Sequence, residues 1–181
     1  MMFKRLVLIT TLSLFSISTF SQVAKKEGTV TTKMDAFTSK TGSIIKIVDT
    51  KLPKLKTTYN ATVETRIRKI SNGAAFAYFF QIVKSNSIAS IEYSDLIELL
   101  KALQVLKNEI NSDITSNPDY LDNTFTTTDG FQMGYFCSGG KTSWYLKLDK
   151  SGSDNTLFIS DSEVIESSFT EAKNKMAELK K

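Results

Sequence analysis

Two stretches decide the fold: NGAAFAYFFQIVK at residues 72–84 and SGGKTSWYLKLDK at residues 138–150. Each begins with residues that favour a tight turn, continues as an aromatic-rich run and ends in lysine. Glycine accepts the positive φ of a two-residue hairpin turn, so each stretch predicts the turn and the second strand of a β-hairpin. The two stretches begin 66 positions apart, which suggests that one structural unit occurs twice.

An ungapped comparison of residues 58–87 with residues 124–153 extends this similarity. Six positions are identical, and several others pair apolar with apolar residues, such as Tyr78 with Trp144. After a two-residue insertion, SDLIE at residues 94–98 aligns with SEVIE at residues 162–166. The pattern predicts a tandem duplication, and convergence of two hairpin-plus-helix segments is the alternative.

Each predicted unit contains three antiparallel strands and a closing helix. The strands are predicted at residues 62–70, 76–83 and 88–93, and again at residues 131–137, 143–148 and 156–159. The helices are predicted to run from about Asp95 to Ile110 and from Ser162 onward, because apolar residues recur there at three- and four-residue spacing. Since one meander and one helix cannot bury their apolar faces alone, two copies should pack together. We therefore predict an α+β fold: a tandem duplication of a β-meander plus helix unit, with an antiparallel sheet and two helices packed on one face.

The predicted domain covers residues 43–181 and divides into similar halves at about 43–111 and 112–181. Residues 111–121 are the predicted linker between the halves. A further short strand is predicted at residues 43–48, and Pro53 should end or bend the chain after it.

The first 21 residues have the layout of a secretory signal peptide. Lys4 and Arg5 precede an apolar stretch from Leu6 to about Ile17, and small residues follow. This stretch is shorter than the roughly 20 residues that a membrane span needs, so we predict no membrane anchor. Residues 22–42 are predicted to be a flexible leader. The expected location is outside the cytoplasm, either periplasmic or secreted.

Composition argues against several classes of partner and chemistry. Removing Lys4 and Arg5 lowers the 23 basic residues to 21, against 19 acidic residues, which gives no argument for binding nucleic acid. The sequence contains no histidine and a single cysteine, Cys137, which its apolar neighbours predict to be buried and inert. We therefore predict no enzyme activity, no catalytic residues, no metal site and no cofactor. A hydrolase that uses grouped carboxylates, Glu92 with Asp95 or Asp161 with Glu163, is the third hypothesis, although these residues also suit helix caps.

Strand alternation predicts two different sheet faces. One face carries Tyr78 and Trp144 and suits a core, while the other carries Phe79 and Tyr145 among polar residues. We predict that Phe79, Tyr145, Ile70 and Phe136 form an exposed aromatic surface that docks a protein or peptide. The alternative is that residues 37–48 or a second subunit, in a homodimer, cover this face.

A second functional hypothesis is a carrier for a small apolar ligand held between sheet and helices. Its cavity would be lined by aromatic side chains, namely Tyr59, Phe76, Phe80, Phe125 and Trp144.

Overall fold

The computed structural model describes residues 31–39, 42–59, 61–149 and 155–181. The predicted signal peptide at residues 1–21 lies outside these ranges. The described chain contains eight strands and three helices: α1 (Lys33–Thr38), β1 (Ile45–Lys56), β2 (Thr62–Asn72), β3 (Ala75–Lys84), β4 (Ser87–Glu92), α2 (Tyr93–Thr115), β5 (Leu121–Thr126), β6 (Gln132–Ser138), β7 (Lys141–Lys147), β8 (Thr156–Ile159) and α3 (Ser162–Leu179).

The strands form two antiparallel sheets, which confirms the predicted α+β class. Sheet A has the order β1-β2-β3-β4 and sheet B the order β5-β6-β7-β8, so each is a simple meander followed by a helix. The sequence predicted one shared sheet, whereas the structure has two. The repeated order of four strands and a helix fits a tandem duplication, which stays a prediction.

Both hairpin turns occur in the two stretches that predicted them. Asn72 pairs with Ala75, so the central residues of the first turn are Gly73 and Ala74, and among the described residues of this turn only Gly73 has positive φ, at 61°. That pattern matches a type II′ turn, whereas Asn-Gly at the two central positions would favour type I′. In the second turn Gly139 and Gly140 have φ of 57° and 73°, as a type I′ turn requires.

One apolar core joins the two sheets to helices α2 and α3. Helix α2 contacts β3 and β4 of its own half and also β5 and β6, while α3 contacts β8 and also β1, β2 and β3. The faces predicted to be core contribute Tyr78, Phe80, Trp144 and Leu146 to this core. The inner faces of both sheets are therefore covered by the same helical layer.

The sheets meet where the strand ends of sheet A reach the edge of sheet B. The backbone N–H of Thr58, in the β1–β2 turn, donates to the carbonyl of Phe158 in β8 at 2.9 Å. Lys84, at the end of β3, donates from Nζ to the carbonyl of Thr156 at 3.1 Å. These contacts tie the two halves together along β8.

Several element boundaries differ from the sequence prediction. Strand β1 continues through Pro53, because the proline lies on an edge strand and the pairing with β2 shifts between Leu52 and Leu55. Helix α2 extends to Thr115, so the linker shortens to residues 116–120, and strand β5 was not predicted at all. Part of the predicted flexible leader, residues 33–38, is helix α1.

Within the described ranges, no helix combines the length and apolar character needed to cross a bilayer.

Candidate binding face

The outer face of sheet B is the side turned away from helices α2 and α3. Cross-strand partners share a face, and the paired residues Asp122 and Phe136, and Gly134 and Tyr145, are not among the core residues. Phe158 lies opposite Tyr145 on β8 and belongs to the same face. Strand alternation thus places a set of aromatic rings together on the side without helices.

Four aromatic side chains on this face form a continuous cluster, which we call the aromatic patch: Tyr120, Phe136, Tyr145 and Phe158. Phe136 is its centre. The ring centroid of Phe136 lies 6.3 Å from Tyr120 in a stacked arrangement, 6.4 Å from Tyr145 and 6.3 Å from Phe158 in an edge-to-face arrangement. Such geometries are favourable for aromatic pairs beyond the area that they bury.

The aromatic patch is open to solvent at its margins. Tyr120 is 64% exposed and Phe158 is 40% exposed, whereas Phe136 is half-buried and Tyr145 is nearly buried. Isolated exposed apolar residues are common on protein surfaces, but a contiguous group of aromatic rings is a feature of interaction sites.

The Tyr145 hydroxyl is fixed by polar neighbours on β5. It donates to Asp122 Oδ1 at 2.8 Å and also contacts Thr124 Oγ1, and Thr124 donates to Asp122 Oδ1 at 2.5 Å. Burial and the Asp122 carboxylate raise the pKa of Tyr145 to about 12, with the Thr124 hydrogen bond acting in the opposite direction. The hydroxyl therefore stays protonated at neutral pH, and its ring is held in one orientation.

Gly134 lies between Thr124 and Tyr145 on this face and has no room for a side chain. A Cβ atom there would lie 2.3 Å from the carbonyl oxygen of Asn123 and 2.9 Å from the Cα of Thr124. Because both are backbone atoms, they could not move aside without displacing β5. The close approach of β5 to β6 therefore depends on glycine.

The structure brings two of the four predicted binding residues together and separates the other two. Phe136 and Tyr145 belong to the aromatic patch, although Tyr145 is only 9% exposed instead of open. Phe79 and Ile70 lie on the outer face of sheet A and are each 1% exposed, so the exposure predicted for them is wrong.

Helix α1 lies against the outer face of sheet A. It contacts β2 and β4, the strands on either side of β3, and the Met34 sulfur accepts from the Gln81 side chain at 3.6 Å. Gln81 is itself fully buried and bonds to Arg66 and Ser90, at 2.8 Å in each case. The segment that contacts this face is thus residues 33–38, whereas the predicted alternative was cover by residues 37–48 or by a second subunit.

Two members of the aromatic patch were missed from the sequence. Phe158 follows Leu157 and precedes Ile159, both buried, so strict alternation already placed it on the outer face. Tyr120 was assigned to the linker, and no periodic signal surrounds it.

A groove with a volume of about 610 Å³ lies between α2 and the free edge of β5. Its lining includes Ala102, Val105 and Leu106 from the helix and Asn123 and Phe125 from the strand. Of the aromatic residues predicted to line a carrier cavity, only Phe125 borders this groove. Phe80 and Trp144 are packed in the core, and Tyr59 and Phe76 are exposed.

One carboxylate of each predicted group is a helix cap. Glu92 accepts from the Ser94 backbone N–H at 2.8 Å, and Asp161 accepts from that of Val164 at 2.9 Å, which makes them the N-caps of α2 and α3. Asp95 pairs with Lys33 at 2.5 Å. In the described part of the chain, no three cysteine or carboxylate side chains are grouped as metal ligands would be.

No family model matches the chain, and the curated proteins and the solved structures likewise contain no significant match.

Proposed function

We propose that the protein is an exported, non-enzymatic binding module that docks a protein or peptide on the aromatic patch. The observation that carries this proposal is the exposure of Tyr120 and Phe158 at the two ends of a chain of contacting rings. Aromatic side chains are enriched at protein interfaces, because they bury much area at a low cost in conformational entropy.

The rigidity of the patch supports the same proposal. The hydrogen bonds from Tyr145 to Asp122, and the packing of Phe136 against three rings, hold the face in one conformation before any partner arrives. A preorganised surface loses less side-chain freedom on binding, which favours affinity.

Export rests on the pattern of residues 1–21, from Lys4 and Arg5 through the apolar stretch that ends near Ile17. Amino-terminal sequencing of the protein isolated from its native cells tests this part. A mature chain that begins near Gln22 is expected, and a chain that retains Met1 would contradict export by this route.

Site-specific photo-crosslinking tests the binding face. A photoreactive phenylalanine analogue in place of Phe158 should form an adduct with the partner in the native envelope or secreted fraction. The matched control is the same analogue in place of Phe76, which is 55% exposed but lies on sheet A beside Tyr78. Adducts of equal yield at both positions, or none at Phe158, would refute the proposed face.

With the partner identified, Tyr120→Ser and Phe158→Ser should each weaken binding at least tenfold, or about 1.4 kcal/mol. Their stability should change little, since both side chains are partly exposed.

The carrier is the second candidate function, and the groove beside α2 is the observation behind it. A volume of about 610 Å³ is within the range of roughly 300–1,000 Å³ seen for small-molecule sites. Native mass spectrometry of the gently purified chain separates the two candidates. An added mass of a few hundred daltons would favour the carrier, whereas a bare chain would favour the binding module.

A further inference from the structure

The two sheets have four edge strands, β1, β4, β5 and β8, which differ in how further strand pairing is prevented. An unpaired edge presents a row of free N–H and C=O groups, which proteins usually protect with lysine, proline, a bulge or a covering segment. Strand β1 has lysine, proline and a bulge: it contains four lysines, Pro53 and a register shift between Leu52 and Leu55.

The edges β4 and β8 each contact a distant part of the chain. Helix α1 contacts β4, and the β1–β2 turn reaches β8 through the hydrogen bond from Thr58 to Phe158.

Strand β5 is an edge strand that borders an open groove. Its sequence, LDNTFT, contains no lysine, arginine or proline. Among the described residues, no backbone hydrogen bond connects β5 to any segment besides its neighbour β6. The edge is six residues long, about 20 Å, which is enough for a short strand to pair with it.

The groove described above runs beside this edge and is roofed by α2. Asn123 Nδ2 donates to Glu109 Oε2 at 2.8 Å, so the helix stays close to the strand. Val105, in the middle of the helical wall, is 54% exposed. A strand added next to β5 would turn alternate side chains toward Val105 and Phe125, as the strands of sheet B turn theirs toward the core.

Side chains on the other face of the added strand would lie beside Asp122, next to the aromatic patch. Asp122 and Thr124 belong to the outer face of β5, while Asn123 and Phe125 point to the groove side. An extended peptide beside β5 would thus turn one set of side chains into the groove and place the other set beside Asp122 and Thr124.

We propose that β5 is a strand-addition site for an extended peptide in which apolar residues alternate with basic ones. This inference rests on the proposed function and states the form in which the partner binds. Main-chain hydrogen bonds to a free edge provide affinity in such complexes, and pockets for alternate side chains provide specificity.

The site as a whole is acidic and therefore favours a basic peptide. Asp122 lies on the outer face, toward which the basic residues of the added strand would point. Glu98 and Glu109 line the groove together with Lys101, so they add one net negative charge on the apolar side of the peptide. Lysine or arginine at the positions that face Asp122 complements this arrangement, and an acidic peptide is repelled.

The same charges disfavour pairing of β5 with β5 of a second copy. Such a symmetric dimer would bring Glu98 and Glu109 of one protomer together with the same residues of its partner across one edge. Like charges in close contact oppose association.

The test uses the full chain after removal of residues 1–21 and a synthetic peptide in which valine alternates with lysine. Binding should slow amide hydrogen exchange at residues 121–126 and shift the NMR signals of Val105. A matched peptide that alternates valine with glutamate should bind at least tenfold more weakly. Val105→Lys should weaken binding of the basic peptide at least tenfold, while the exposed variant Ile114→Lys, at the far end of the same helix, should not.

Three outcomes would overturn strand addition. In the first, the NMR signals of Tyr120 and Phe158 shift while amide exchange in β5 does not slow. That result would refute strand addition alone and leave the aromatic patch as the docking surface. In the second, the basic and acidic peptides bind equally. In the third, the chain is a dimer without peptide, and the Val105→Lys variant is a monomer.

Discussion

Phe79 and Tyr145 occupy corresponding positions on strands β3 and β7, yet they have different surroundings. Both side chains point away from the helical core, as alternation predicts. Phe79 is buried on the face that α1 contacts, between Arg68 and Glu92 of the neighbouring strands, while Tyr145 borders an open face. One residue therefore contributes to stability and the other to a surface.

Phe79→Ala should lower the free energy of unfolding by about 3–5 kcal/mol, because it leaves a cavity in a closed site. Phe158→Ala, on the open face, should cost about 1 kcal/mol or less. Urea unfolding of the two variants measures the difference. A loss of stability for Phe79→Ala as small as that for Phe158→Ala would show that the outer face of sheet A is open as well.

Gly134→Ala should destabilise the protein by about 1–3 kcal/mol, since the added methyl group meets the backbone of β5. Ser143→Ala, on the adjacent strand and the same face, is the control and should change stability by about 0.5 kcal/mol or less. Thermal unfolding compares the two. An unchanged midpoint for Gly134→Ala would mean that β5 does not approach β6 as described.

At the scale of elements, the pairing of β1 with β2 is supported by an ion pair on the outer face of sheet A. Arg68 donates to both carboxylate oxygens of Asp49, at 2.8 and 2.7 Å, and Arg66 Nε lies 3.5 Å from Asp49 Oδ2. The Arg68 hydrogen bonds lower the pKa of Asp49 below its ordinary value of 3.8, although partial burial opposes the shift.

A carboxyl group whose pKa is lowered by folding stabilises the folded state above its unfolded pKa. That contribution is lost as the pH falls through the folded pKa, here below 3.8. We expect Asp49→Asn to reduce stability by about 1 kcal/mol or less at neutral pH and to flatten the loss of stability below about pH 4. Urea titrations of the wild type and the variant across this range are the measurement, and parallel curves would contradict the ion pair.

Helix α1 is held by polar contacts at its first residue. The Lys33 side chain pairs with the buried Asp95, and its backbone N–H donates to Asp129 at 3.0 Å. Lys33→Met should loosen α1 and speed hydrogen exchange at Gln81 and Ser90 beneath it. Lys46→Met, on an exposed part of β1, should not. Unchanged exchange in Lys33→Met would show that apolar packing alone holds the helix.

At the scale of the whole molecule, each helix packs on the sheet of the other half as well as on its own. Helix α2 contacts β5 and β6 besides β3 and β4, and α3 contacts β1 and β2 besides β8, so the two halves share one core. Lys107 of α2 also pairs with Glu163 and Glu166 of α3, at 3.2 and 2.7 Å. The halves are therefore interdependent.

Separate fragments of residues 31–117 and 118–181 should be largely unfolded alone and should regain structure when mixed, because only the mixture restores the shared core. Circular dichroism of each fragment and of the equimolar mixture is the measurement. A cooperative thermal transition in either fragment alone would contradict interdependence.

Local signals in the chain predicted most elements but not their surroundings. The glycine turns and the apolar spacing identified β2, β3, β4, β6, β7, β8 and both long helices, each within a few residues. Strand β5 was missed since LDNTFT is polar, and its strand conformation depends on pairing with β6. Helix α1 is six residues long and has no buried residue, so no apolar periodicity marks it.

Periodicity and turn chemistry are properties of neighbouring residues, and they were enough to predict the α+β class and the core faces. Which outer face stays open is a different matter, because it depends on where distant segments pack. Phe79 and Tyr145 follow the same alternation, but only contacts between residues far apart in the chain put α1 over one sheet and leave the aromatic patch of the other exposed at its margins. The exposure of each outer face was therefore decided by tertiary packing, which the local pattern does not contain.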